Sequence, residues 1–134
     1  MKEVLEFLKA NPVQYLATTG LDGKPKVRPF LYKLEQGGKL YYCTGNDKSV
    51  YREMLRQPWV EISASDPQYA WIRLTGKVVF SQDMSIKKKI FEDFEIVRRV
   101  FGTPENPTFE LFYLDQVTAV IADFSGNPPR TYTL

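Results

Sequence analysis

The chain has 134 residues, enough for one domain that buries a core of its own. Apolar residues make up 43% and charged residues 25%, an ordinary globular balance rather than a disordered one. The net charge of +2 is too small to point to nucleic acid, and no segment approaches the ~20 apolar residues of a membrane span.

In chain order, Lys2–Lys9 carries Val4, Leu5 and Leu8 at helical spacing, and Asn11-Pro12 ends it. Glu3 and Glu6 in this stretch argue against a signal peptide. Val13–Gly20 reads as a strand, Leu21–Pro25 as an Asp-Gly turn, and Lys26–Leu34 as a second strand. Pro29 inside that strand calls for an edge, a bulge or a break in pairing. Glu35–Gly38 is a turn and Lys39–Thr44 a third strand. Asn46 or Asp47 can cap a helix over Lys48–Gln57, which Pro58 stops. Trp59–Ser65 and Tyr69–Phe80 read as strands, with Gly76 marking a bend or a close backbone approach. Asp83 or Ser85 caps a helix to about Val100, and Phe101–Pro107 is a loop. Thr108–Leu114 and Gln116–Phe124 are the last strands, and Ser125–Leu134 an irregular tail. Six or seven strands joined mostly by tight turns imply a mainly antiparallel sheet closing into a barrel, with flanking helices. No GxGxxG or GxxxxGK[ST] is present, so a doubly wound nucleotide fold is not indicated.

One absence restricts the chemistry. The chain has no histidine and a single cysteine, Cys43. Ser-His or Cys-His nucleophiles, His-ligated haem, zinc sites with His or several Cys ligands, and an internal disulfide are therefore unavailable. The lone cysteine suits a reducing, cytoplasmic setting. No metal site and no catalytic residue can be named, and any chemistry must use Lys, Arg, Tyr, Asp, Glu or a borrowed cofactor.

Three cations sit where a core should form. In a regular strand Arg28 shares a face with Phe30 and Tyr32, and Lys33 shares the other with Val27 and Leu31, unless Pro29 shifts the register. Such pairing suits a flat, partly apolar ligand with an anionic end, and equally suits snorkelling side chains. Lys48 and Ser49 fall in a first helical turn. N–H groups, a hydroxyl and an ammonium there form a phosphate cradle, with Thr44 and Arg28 close by. Lys24, Lys26 and Lys39 read as solvent-facing, as does the Lys87–Lys89 run. Trp59, Phe91, Phe94 and Phe101 read as core or interface packing.

The order of YLATTGLDGKPKVRPF, LYYCTGNDKSVYREMLRQPWVEIS, WIRLTGKVVF and PTFELFYLDQVTAVIADF resembles the pyridoxamine 5′-phosphate oxidase-like, FMN-binding split-barrel family. Its small bacterial members, grouped with nitroimidazole-resistance proteins, look most similar. The resemblance implies a Greek-key split barrel of six to seven mostly antiparallel strands and FMN as cofactor. It also implies a homodimer with FMN at the subunit interface, and an exposed apolar patch on the isolated chain.

It further assigns cofactor-binding roles by position. The segment Arg28, Pro29, Phe30, Leu31, Tyr32, Lys33 matches one that opens on a phosphate-binding Arg and runs along the flavin ring. Cys43 and Thr44 match a following pair, Lys48 a second phosphate-binding cation, and Asn46 and Ser49 flank it. Trp71 falls where relatives place a polar flavin contact, implying stacking or gating instead. Relatives that oxidise pyridoxamine phosphate carry basic and His residues near the C-terminus; only Arg130 stands in the tail here, so that substrate is not expected. The implied function is a flavoprotein oxidoreductase acting on a small molecule, with a donor such as NAD(P)H. An electron-transfer or sensing module, or use of a deazaflavin, remains compatible with the residues.

Overall fold

A computed structural model describes all 134 residues, Met1–Leu134. Its elements are α1 (Lys2–Ala10), β1 (Val13–Thr19), β2 (Pro25–Leu31), β3 (Leu34–Gln36), β4 (Lys39–Gly45) and α2 (Ser49–Arg56), then β5 (Trp59–Ser65), β6 (Trp71–Ser81), α3 (Met84–Asp93), α4 (Glu95–Phe101), β7 (Phe109–Ala122) and β8 (Arg130–Thr133). The strands form one sheet in the order β2-β1-β5-β6-β7-β4-β3, with β8 also on β7. Every pairing is antiparallel. No helix is long and apolar enough to cross a membrane.

The mainly β fold with flanking helices agrees with the sequence reading, with corrections to strand count, closure and element bounds. There are eight strands, and the sheet does not close through hydrogen bonds: β2 ends one edge and β3 the other. The two strands expected after Pro107 are one, β7, continuous through Asp115. Part of the tail is ordered as β8, which pairs with Thr118–Ile121 of β7, and Arg130 and Tyr132 both donate to the Glu3 carboxylate on α1.

Strand alternation sets the core. β5 alternates strictly, turning Val60, Ile62 and Ala64 inward. Leu16, Leu74, Tyr42 and Phe112 join them in the main core. The N-terminal half of β7 and most of β4 beyond Lys39 are covered on both faces. Their other faces, Phe109, Leu111 and Tyr41, pack with Ile86, Ile90 and Phe91 of α3 and Val97 of α4. The helix expected to Val100 is broken at Phe94, whose backbone is extended (φ −126°, ψ 102°). Asp83 caps α3 as expected, accepting from the backbone N–H groups of Ser85 and Ile86. Lys87 is not solvated: it is buried, donates to Gln82 and lies over the Phe109 ring.

Pro29 lies on the edge strand β2, where a missing N–H is tolerated. Gly76 serves the close approach its position suggested. The register between β6 and β7 slips there, so Gln116 and Val117 together oppose Gly76, and Gln116 takes a left-handed φ of 52°. A Cβ at Gly76 would lie 3.2 Å from Leu114 Cβ and 3.3 Å from Val117 Cγ2. Gly76→Val should therefore destabilise the chain by about 1–3 kcal/mol in urea unfolding. An unchanged midpoint would show that the bulge does not depend on the missing side chain.

Candidate functional site

The sheet order leaves β2 and β4 without a shared ladder, and a cavity of about 320 Å³ opens between them. β2 contributes Arg28, Pro29, Phe30 and Leu31, and β4 contributes Cys43 and Thr44. Lys33 follows β2, Lys48 and Val50 come from the start of α2, and Ile96, Val97, Val100 and Phe101 come from α4. Eight of the eleven residues singled out in the sequence thus meet in one place: Arg28, Pro29, Phe30, Leu31, Lys33, Cys43, Thr44 and Lys48.

Three do not line it. Asn46 donates to the Pro107 carbonyl at 2.8 Å and to Glu110 Oε1 at 3.0 Å, so its amide is spent tying two loops together. Ser49 is exposed at the first position of α2 and the N-cap is Lys48, neither Asn46 nor Asp47. Trp71 begins β6 on another part of the sheet and packs against Phe124, ring centroids 5.4 Å apart. The α4 side chains and Val50 were missed, and Phe101, read as packing, also borders the cavity. Helical spacing marks an apolar face but not what that face covers.

The arginine is held. Arg28 Nη2 donates to Glu53 Oε1 at 2.7 Å, and Nη1 donates to Thr18 Oγ1 at 2.6 Å and to the Leu16 carbonyl at 3.3 Å. Of five guanidinium donors, two remain without a partner. No side chain caps α2, and the N–H groups of Ser49 and Val50 are free beside Lys48, while that of Tyr51 donates to the Lys48 carbonyl.

Lys33 sits differently from its strand parity. β2 ends at Leu31, and Tyr32, Lys33 and Leu34 are all buried as the chain turns into β3. Its ammonium lies 4.5 Å above the Phe94 ring, and it joins none of the six ion pairs. Burial lowers its pKa, and the Cys43 sulfur nearby partly offsets this. Thr44 Oγ1 is also buried with no hydrogen-bond partner. A buried hydroxyl without a partner and an unpaired ammonium in one cavity are what a ligand would satisfy. Burial pushes the Cys43 thiol up to about 11, opposed by Lys33 and Lys48.

Both shifts have consequences. At about pH 8 the Cys43 thiolate fraction is roughly a hundredfold below that of a free thiol, so alkylation should be slow until denaturant is added. Rapid modification of the folded chain would contradict this environment. The native pKa of Lys33 lies below its ordinary value of 10.5, so the native state binds fewer protons than the unfolded state between the two. The stability penalty is full below the native pKa and fades as pH rises toward 10.5. Lys33→Met should therefore stabilise the chain at neutral pH, on the order of 1 kcal/mol. That gain should shrink on alkaline titration; a constant difference would place the ammonium in water.

The chain matches the family model for pyridoxamine 5′-phosphate oxidase over residues 1–118. Among solved structures, a NimC/NimA family protein of Clostridium acetobutylicum is 35% identical, with a TM-score of 0.90 over 100% of this chain and 92% of that one. A pyridoxamine 5′-phosphate oxidase-related, FMN binding protein of Nostoc punctiforme is 18% identical, with a TM-score of 0.73 over 99% and 95%. A heme binding protein of Mycobacterium smegmatis is 19% identical, with a TM-score of 0.73 over 93% of this chain and 54% of that one. No curated protein sequence matches. On the extent of the family match and this likeness in fold, the chain belongs to the pyridoxamine 5′-phosphate oxidase family.

Proposed function

We propose that the chain binds FMN in the cavity between β2 and β4 and works as a flavin-dependent oxidoreductase on a small molecule. The observation that carries this reading is a pair of unpartnered polar groups, the buried Thr44 Oγ1 and the Lys33 ammonium, in a cavity whose apolar wall is joined by the cations Arg28 and Lys48. The donor set fits the cofactor. The two free N–H groups of Arg28, the Lys48 ammonium and the uncapped start of α2 suit a phosphate. Pro29, Phe30, Leu31 and the apolar face of α4 suit a flat ring, and Lys33 places a cation where negative charge on that ring would be favoured. The Nostoc protein's FMN binding adds support by likeness of fold. The chain has no imidazole to hold a haem iron.

Bound FMN would supply hydride or electron transfer, while the chain supplies binding, orientation and electrostatics. At about 320 Å³ the cavity is at the small end for a cofactor site, and it is open on the α4 side, where Ile96 and Val100 are exposed. The outer face of the β1–β2 hairpin exposes Val13, Tyr15 and Val27, and the register sets Val13 beside Leu31, Tyr15 beside Pro29 and Ala17 beside Val27. Pro29 and Leu31 border the cavity, so a second copy docked on this face would cover it, in a homodimer with FMN between subunits. Trp71 would then reach flavin only from the partner, since its own cavity lies elsewhere.

Purified protein should be yellow, or take up added FMN at micromolar concentration, and elute as a dimer. Colourless protein that ignores FMN sinks the reading, and cofactor mass after denaturation separates FMN from a deazaflavin. Lys48→Ala should weaken binding by about 1.5 kcal/mol. Arg28→Ala should weaken it by about 1.5–3 kcal/mol and also destabilise the chain by about 3 kcal/mol, because it strands the buried Glu53 carboxylate. NAD(P)H oxidation with a nitroaromatic or quinone acceptor separates an enzyme from an electron-transfer or sensing module.

A further inference from the structure

Glu53 is a buried carboxylate on α2 that no sequence motif singles out, with 4% of its surface exposed. Its Oε1 accepts from Arg28 Nη2 at 2.7 Å and from the Thr18 hydroxyl at 2.8 Å. Arg28 Nη1 closes the ring by donating to Thr18 Oγ1 at 2.6 Å. The hydroxyl both donates and accepts, so each member fixes the next, and β1, β2 and α2 are joined at one point.

The arrangement has two opposed effects on an anion in the cavity. Glu53 cancels the formal charge of Arg28, which weakens attraction at a distance. It also fixes a long side chain that would otherwise lose rotamer freedom on binding a ligand. With Leu16, Thr18 and Glu53 taking three donors, Nε–H and the second Nη2–H are left for the cavity that Arg28 lines. The fixed edge can donate two parallel bonds to one phosphate, the geometry in which arginine binds such groups best.

We infer that Glu53 is a positioning residue. Together with Thr18 it aims the free edge of Arg28 at the phosphate of the flavin, trading long-range attraction for a fixed short-range contact. The inference rests on the FMN reading of the cavity. A purely structural role for Glu53 would be different. Lys48 and Val50 belong to the same helix start, so a loosened α2 would shift the cavity wall and disturb ring and phosphate alike.

FMN and riboflavin differ only by the phosphate, so the ratio of their affinities is the readout. Wild type, Glu53→Ala, Glu53→Gln and Thr18→Val would be titrated with each flavin by fluorescence quenching. Glu53→Ala should lose about tenfold in FMN affinity while riboflavin stays within about twofold. Glu53→Gln keeps an acceptor for both donors and removes the opposing charge, so its FMN affinity should stay within about threefold. Thr18→Val should shift FMN alone, in the same direction as Ala and by less.

FMN and riboflavin falling in parallel would overturn the inference in favour of packing. FMN binding as tight or tighter in Glu53→Ala would overturn it in favour of simple charge opposition. If Glu53→Ala lacks a native circular dichroism spectrum, Thr18→Val decides, and a wild-type FMN-to-riboflavin ratio there overturns the inference. Wild type binding both flavins equally would remove the phosphate contact but leave the flavin reading standing. Wild type binding neither would remove both.

Discussion

β7 is the constraint on which the rest of the architecture depends. Its fourteen residues must satisfy backbone groups along two edges. One edge is taken by β6 from Leu111 to Ala122, and the other is shared, β4 pairing with Phe109–Leu114 and β8 with Thr118–Ile121. The bulge at Gln116, opposite Gly76, lies between the two partners and turns the strand. Because β4 joins the sheet through β7 and β2 joins it through β1, the two meet side by side without a ladder. The resulting gap is the cavity.

The cavity places groups in environments that oppose stability. Lys33 is charged, has little exposed surface and makes no ion pair, and Thr44 presents a hydroxyl to nothing in the chain. Such groups raise the free energy of the native state until a ligand satisfies them. The Arg28–Thr18–Glu53 ring is the reverse case, a buried charge fully compensated within the chain. The two halves of the site therefore differ: one is held rigid by the protein itself, and the other is left incomplete.

Much of this was legible from local signals. Turn residues gave the hairpins, alternation gave β5, and Pro29 and Gly76 announced an edge and a close approach that the sheet contains. Eight cavity residues were named because a spacing match across Arg28–Lys48 reflects one hairpin and one helix start, a nearly contiguous piece of chain. The failures lie where the chain leaves a regular element. Lys33 was placed on the face of Val27 and Leu31 by parity, but parity ends with β2 at Leu31. Asn46 was read as a cap, yet its partners are more than sixty residues away. Nothing in the sequence singles out Glu53, since the arginine that pairs with it is on another element.

The sequence by itself determined the type of most elements, that the pairing is mainly antiparallel, and that the chemistry excludes imidazole and thiolate clusters. These follow from turn chemistry, side-chain period and residue inventory, all of which act over a few residues or none. Tertiary structure alone decided that the sheet stays open between β2 and β4, that α4 walls the opening, and that Lys33 is left unpaired while Arg28 is not. Those outcomes depend on which elements meet in space, and burial turns each meeting into a large electrostatic difference that no local pattern encodes.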